Sequence, residues 1–136
     1  LVLGAIAYPY NVSERHAPKS ISKAMLLRRA ADAGQGVLIY SYSTLDGRTF
    51  EAIAEVSAVM AQYEPFFLSG ERYGDQLRIS GWNRAEYELL GDGSEKRLLL
   101  LMNSSEAKRE YQFEWEGRRV SGSVEPGGIK VIPLNR

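Results

Sequence analysis

The sequence contains no cysteine, which removes disulfides, thiolate metal sites and cysteine nucleophiles together. It has one histidine, His16, so no cluster of imidazoles around zinc can form within the chain. It has no excess charge of either sign. Lys plus Arg and Asp plus Glu each number 17, and the chain therefore offers no general electrostatic footprint for nucleic acid or an anionic membrane. It has no apolar run approaching the roughly 20 residues that span a bilayer. The apolar start is short and lacks a basic region before it, so it does not read as a signal peptide. What remains is an ordinary globular composition, 44% hydrophobic and 25% charged over 136 residues, enough for one compact domain or two small ones.

Two segments are apolar at nearly every position: Leu1-Val2-Leu3-Gly4-Ala5-Ile6-Ala7, running into Tyr8-Pro9-Tyr10, and Val37-Leu38-Ile39, running into Tyr40-Ser41-Tyr42-Ser43. A strand buried on both faces reads this way, and strands of that kind belong to parallel sheets. Each is followed by a helical pattern. Ala24, Leu27, Ala30 and Ala31 share one arc of a helix expected over about 21–33, with Arg28, Arg29 and Asp32 opposite; Pro18 and Ser20 are its start signals. Ala52, Ile53, Val56, Val59, Met60 and Tyr63 form the stripe of a second helix over about 50–63, capped by Thr49 and stopped by Pro65.

Beyond Gly70 the pattern changes to short strands separated by turn chemistry. The expected strands are Leu77–Trp82, Ala85–Leu90, Lys96–Asn103, Glu110–Trp115, Arg119–Val124 and Ile129–Leu134. Gly91-Asp92-Gly93, Glu116-Gly117 and Pro126-Gly127-Gly128 supply the turns. Tyr111, Phe113 and Trp115 alternate with Gln112 and Glu114, so one face of that strand is buried. Leu98 to Met102 is apolar at every position, which marks a central strand covered on both sides. The fold expected is α/β plus all-β: a partial (β/α) barrel segment of two βα units over 1–70, then a small antiparallel β-sandwich over 71–136. Some 65 residues of sandwich lie near the lower limit of independent stability, so the second helix or Pro65-Phe66-Phe67-Leu68 should pack against it.

In parallel sheets and barrels, ligands bind at the C-terminal ends of the strands. That end holds Tyr8, Tyr10, Tyr40 and Tyr42, whose rings suit the C–H faces of a sugar and whose hydroxyls suit its polar edge. Packing beneath a helix is the competing role for each of them. Glu14, His16 and Asp46 lie in the loops after the strands. Glu14 and Asp46 are the two carboxylates available there for acid–base work, although Asp46-Gly47 is also a simple turn. In the second half, Trp82 is the better exposed aromatic candidate, although core or interdomain packing is the favoured role for it, and Trp115 reads as core. Asn11-Val12-Ser13 and Asn103-Ser104-Ser105 match the glycosylation pattern by chance.

The stretch Gly36 to Ser43, with the helix after it and its ending Tyr63-Glu64-Pro65-Phe66-Phe67-Leu68-Ser69-Gly70-Glu71, resembles the last barrel strand and helix of (β/α)₈ glycoside hydrolases. A bacterial glycosyl hydrolase-like group is among them. Leu98 to Ser105 and Val124 to Leu134 are similar to later strands of the small sandwich that several of these proteins append. The resemblance implies that residues 1–70 are the last two βα units, with carbohydrate as substrate and no cofactor or metal. The partner that completes the sheet would be the remainder of the barrel or another chain. The acid and nucleophile of such barrels commonly sit on earlier strands. Here the first strand ends Tyr8-Pro9-Tyr10 in place of a catalytic Glu, so the main carboxylates would lie outside these residues. An extracytoplasmic location follows only from the resemblance. The alternative is a non-catalytic carbohydrate-binding, structural or assembly domain.

Overall fold

The computed structural model describes residues 5–7, 22–33, 37–39 and 47–135. In chain order these form strand β1 (Ala5–Ala7), helix α1 (Lys23–Ala33), β2 (Val37–Ile39), α2 (Gly47–Gln62), α3 (Glu64–Leu68), β3 (Tyr87–Gly91), β4 (Arg97–Met102), β5 (Arg109–Trp115), β6 (Arg118–Val124) and β7 (Ile129–Leu134). Strands β1 and β2 pair in parallel, Ala5 with Val37 and Ala7 with Ile39. The other strands make two antiparallel sheets, one ordered β3-β4-β7 and one a β5-β6 hairpin.

The three-stranded sheet is covered twice. Register places Leu90 beside Leu98, and Leu100 beside Val131, and Met102 beside Ile129. Those side chains share one core with Ala24, Leu27, Ala30, Ala52, Val56 and Phe67 of the helices. The alternate positions, Tyr87 beside Leu101 and Leu99 between Leu89 and Ile132, face the hairpin and join Tyr111, Phe113 and Val124 in a second core. All five residues Leu98–Met102 are buried, as expected of a central strand with period-two side chains and cover on both faces. At roughly 1.5–3 kcal/mol for each large apolar side chain withdrawn from water, this one strand is a main source of stability.

Both helical stripes read from the sequence face the core. The boundaries differ. Ser22, rather than Ser20, caps α1: its Oγ accepts from the backbone N–H of Met25 at 3.1 Å. Helix α2 starts at Gly47, so Thr49 lies buried inside its first turn instead of before it. Pro65 does not simply end the helix. It opens α3, at a position where a missing N–H costs nothing. Phe67 of α3 enters the helix-side core, and α1 lies across β4 as well, so the sheet is covered by the first helix in addition to the segment expected.

One expected strand is absent. Leu77–Ser80 alternates buried and exposed positions like a strand, and a turn at Ser80-Gly81 then brings Trp82 inside, yet the segment forms no ladder. A 3₁₀ turn at Gly74–Gln76 precedes it and another at Arg84–Glu86 follows it. The segment instead plugs the open side of the second core with Leu77, Ile79 and Trp82. Trp82 is only 8% exposed, and its indole N–H donates to the carbonyl of Glu110 at 3.0 Å. It is a core residue, the role that packing favoured for it over that of an exposed stacking ring. The start of β3 correspondingly moves from Ala85 to Tyr87.

The β5–β6 loop is two residues long, with positive φ at both Glu116 (49°) and Gly117 (76°). That is the twist-matched geometry of a tight hairpin. Gly117→Ala is expected to cost about 1 kcal/mol, because only glycine takes the left-handed region without a Cβ clash. In the core, Leu100→Ala is expected to cost about 2–5 kcal/mol. Urea denaturation followed by tryptophan fluorescence measures both.

Candidate functional site

Every residue that the sequence nominated for carbohydrate chemistry, namely Tyr8, Tyr10, Glu14, His16, Tyr40, Tyr42 and Asp46, lies outside the described residues, as does the acceptor Asn11. What is described next to them is the strand pair. Tyr8 and Tyr40 are the residues that follow, in sequence, the paired ends Ala7 and Ile39. The parallel register of those ends is the pairing that a common site after both strands requires.

Within the described residues, the most polar assembly lies where α1 crosses the start of β3. Glu88 projects from β3 on the helix side, in register with Leu100, and is 4% exposed. A carboxylate buried among leucines must have partners. Its Oε1 accepts from the backbone N–H groups of Gly74 (3.1 Å) and Leu89 (3.1 Å) and from Arg84 (3.0 Å). Its Oε2 accepts from Arg28 of α1 (3.2 Å) and again from Arg84 (3.2 Å). Each arginine holds a second acid: Arg28 pairs with Asp32, and Arg84 with Asp75 at 2.9 Å. The result is a chain of alternating charge, Asp32–Arg28–Glu88–Arg84–Asp75, spanning α1, β3 and both 3₁₀ turns.

Burial alone would lower the pKa of Arg28, but hydrogen bonds and charge from Asp32 and Glu88 outweigh it and the net shift is upward. Arg84 behaves the same way, with Asp75 and Glu88 overcoming burial. Arg72 is shifted down, first by burial and then by the neighbouring Arg28, in spite of Glu88. Its guanidinium donates twice to the carbonyl of Ala31, in the last turn of α1, at 3.0 and 2.8 Å. A cation there complements the helix dipole. Gly74 is fixed by packing, since a Cβ on it would overlap Arg84 and Glu88.

This network borders an open depression of about 1000 Å³ whose floor includes Ala24, Met25 and Met102. Its walls look reactive by composition but are already satisfied. Glu88 has its donors, the arginines have their acids, and both Arg28 (3.0 Å) and Arg84 (2.8 Å) also donate to the carbonyl of Tyr87. The arginines therefore cap the edge of β3 at Tyr87, where the Glu71–Tyr73 segment that covers Leu89 to Gly91 does not reach. The arrangement is a fastening between α1 and the sheet rather than a proton-transfer pair. Sequence reading assigned Arg28 and Asp32 to the solvent side of the helix and passed over Glu88. The available signal was one carboxylate inside the apolar run Tyr87-Glu88-Leu89-Leu90, and its partners are far apart in the chain.

Asn103 is fully buried, and its amide donates to the carbonyls of Ala107, Val124 and Glu125 at 2.8, 3.0 and 3.1 Å. It holds two loops together and is closed to glycosylation, in agreement with treating that sequon as chance. Trp115 is half-buried against the second core, with its indole N–H buried. No group of three or more His, Asp or Glu among the described residues could hold a metal ion, and no described helix is long and apolar enough to cross a membrane. Set against protein-family models, curated proteins and solved structures, the chain matches none.

Glu88→Ala is expected to destabilise the fold by about 1–3 kcal/mol, because the buried N–H of Gly74 and the guanidiniums of Arg28 and Arg84 lose an acceptor, while each arginine keeps its second acid. Asp75→Ala, at the solvent end of the same chain with its side chain 92% exposed, is expected to change stability by less than about 0.5 kcal/mol. Chemical denaturation distinguishes the two. Alkali should also loosen the structure. Lys23 has a raised pKa through its hydrogen bond to Glu55 on α2, and Tyr111 has one raised by burial. Each contributes stability in full below its ordinary value, 10.5 for Lys23 and 10.0 for Tyr111, and loses it as pH rises through the higher folded value. The urea midpoint is expected to fall between pH 9.5 and 11.5 (about the span of the ordinary lysine and tyrosine values), and less steeply in Tyr111→Phe.

Proposed function

We propose that this chain is the C-terminal portion of a glycoside hydrolase-like protein, in which it supplies two βα units of a barrel, aromatic side chains of the substrate cleft and a supporting β-sandwich. The observation that carries this reading is the in-register parallel pairing of β1 and β2, with α1 between them in sequence. Parallel strands joined by a helix belong to multi-stranded sheets covered on both faces, and their ligands bind beyond the C-terminal strand ends. The residues after those ends include Tyr8, Tyr10, Tyr40 and Tyr42. In this proposal the tyrosines stack on the sugar and His16 binds a hydroxyl. Hydrolysis would proceed by acid-assisted cleavage between two carboxyl groups. Glu14 and Asp46 are the candidates within the chain, and the principal pair would come from strands beyond these residues.

For the sandwich, burial favours support over carbohydrate binding. Trp82, Tyr111 and Phe113 are inside, and the large exposed hydrophobic side chains among the described residues, Phe50 and Leu68, are on helices. With Trp115 and Tyr73 half-buried against the second core, no aromatic ring of the sandwich is fully exposed among the described residues, whereas the docking of α1 and α3 on β3 and β4 suits a buttress.

The test is affinity electrophoresis through gels containing polysaccharide. Tyr40→Ala and Tyr8→Ala are each expected to weaken retention by roughly fivefold to tenfold, the worth of one aromatic contact. Mobility unchanged by polysaccharide in the parent protein, or unaffected by both substitutions, overturns the proposal.

A further inference from the structure

The outer strands of the two antiparallel sheets are β3, β7, β5 and β6. Three of them have blunted edges. β3 is covered by Glu71–Tyr73 and by the two arginines at Tyr87. β7 carries Lys130 and Pro133, and β5 carries Glu110 and Glu114 with the Trp82 indole on the Glu110 carbonyl. β6 differs. After Arg118 and Arg119 it runs Val120-Ser121-Gly122-Ser123-Val124, without charge or proline, in unbroken register with β5. The two-residue loop makes Trp115 and Arg118 a hydrogen-bonded pair, so the N–H and C=O groups of Arg119, Ser121 and Ser123 point away from β5. None of these groups has a partner among the described residues. A further unsatisfied group lies at the same edge. Tyr111 is only 5% exposed, and its hydroxyl rests against Gly122, where a Cβ would overlap it. That hydroxyl makes no hydrogen bond among the described residues. Val120 of β6 and Ile132 of β7 are half-buried, so the second core is incompletely closed on this side.

We infer that β6 pairs with β6 of a second copy of this chain, antiparallel, about a two-fold axis at Gly122. In that register Ser121 and Ser123 of one copy exchange main-chain hydrogen bonds with Ser123 and Ser121 of the other. Gly122 faces Gly122 in a pair of the non-hydrogen-bonded kind, with Cα atoms about 4.5 Å apart. The two Tyr111 hydroxyls then meet beside the axis, and each gives the other the partner it lacks. Arg119, which has no ion pair among the described residues, stands opposite Glu125, whose contact with Lys108 is long, at 3.9 Å, and exposed. The pairing is isologous, so every contact occurs twice. An axis at Ser121 also aligns the outward groups, but it separates the hydroxyls and sets Arg119 opposite Ser123. An unrelated extended peptide matches the main chain equally well, yet it supplies neither the hydroxyl nor the carboxylate. The dimer is independent of the carbohydrate reading. The hairpin lies on the face of β3-β4-β7 opposite the helices, so β6 stays free whatever sheet β1 and β2 belong to.

Sedimentation velocity of the full-length protein over rising concentration tests the pairing. The parent is expected to pass from monomer to dimer. Ser121→Pro removes an outward N–H that β5 does not use, so the hairpin keeps its ladder while the edge is blocked, and this variant is expected to stay monomeric. Arg119→Glu and Glu125→Arg each set like charges opposite one another twice, and each is expected to raise the dimer dissociation constant roughly tenfold. Combined in one chain they restore opposite charges and are expected to return the constant to within about threefold of the parent. A parent that is monomeric throughout overturns the inference. So does a dimer indifferent to Ser121→Pro, which assigns self-association to another surface. Charge reversals that weaken the dimer without rescuing each other, or that leave it unchanged, overturn the pairing at Gly122, and they decide it even where Ser121→Pro disturbs the hairpin.

Discussion

Strand β4 sends Leu98, Leu100 and Met102 to one side and Leu99 and Leu101 to the other, and none of these side chains can be left in water. That double demand organises the second half of the molecule. One face needs the β5–β6 hairpin, and the other needs helices, which the second half does not contain. The sandwich is therefore completed by α1, α2 and α3, and the helix-side core draws on both halves of the sequence. Small antiparallel sheets are marginal by themselves, and here the shortfall is met by borrowing a helical layer rather than by disulfides, for which the chain has no cysteines.

The same dependence explains why charge is buried where α1 meets β3. An apolar contact between helix and sheet would bind the layers without fixing their register. Glu88, held by two arginines and two backbone N–H groups, adds directional bonds that are satisfied in one arrangement. Such a network stabilises little in net terms because desolvation offsets the attraction. Its consequence is positional. It sets α1 against the edge of β3, and through Arg72 it reaches the last turn of the same helix. If β1, β2 and their helices belong to a substrate-binding barrel, the fastening couples the position of that barrel segment to the sandwich.

Much of the architecture was legible because periodicity is a local property. The stripe from Ala52 to Met60 and the alternation Tyr111–Trp115 state their faces outright, and the unbroken Leu98–Met102 run states a double cover. The Leu77–Trp82 segment misled for the same reason. Alternating burial follows from a chain lying extended over a core, whether or not a neighbouring strand is there to hydrogen-bond with it. Helix starts slipped by two or three residues because several polar residues before α1 and α2 are acceptable caps, and packing chose among them. The carbohydrate candidates rest on residue type and strand-end position, which are likewise local properties.

By itself the sequence determined helices α1 and α2 and strands β3 to β7, which faces are apolar, and that no thiol chemistry is available. These follow from side-chain spacing and composition, and neither requires a partner. Only the tertiary structure decided the register in which β1 and β2 pair, that α1 lies across β4, that Asn103 is interior, and that Glu88 joins Arg28 and Arg84. Glu88 and Arg28 are 60 positions apart in the chain. No periodicity connects residues so distant; the cost of leaving a buried carboxylate unpaired does.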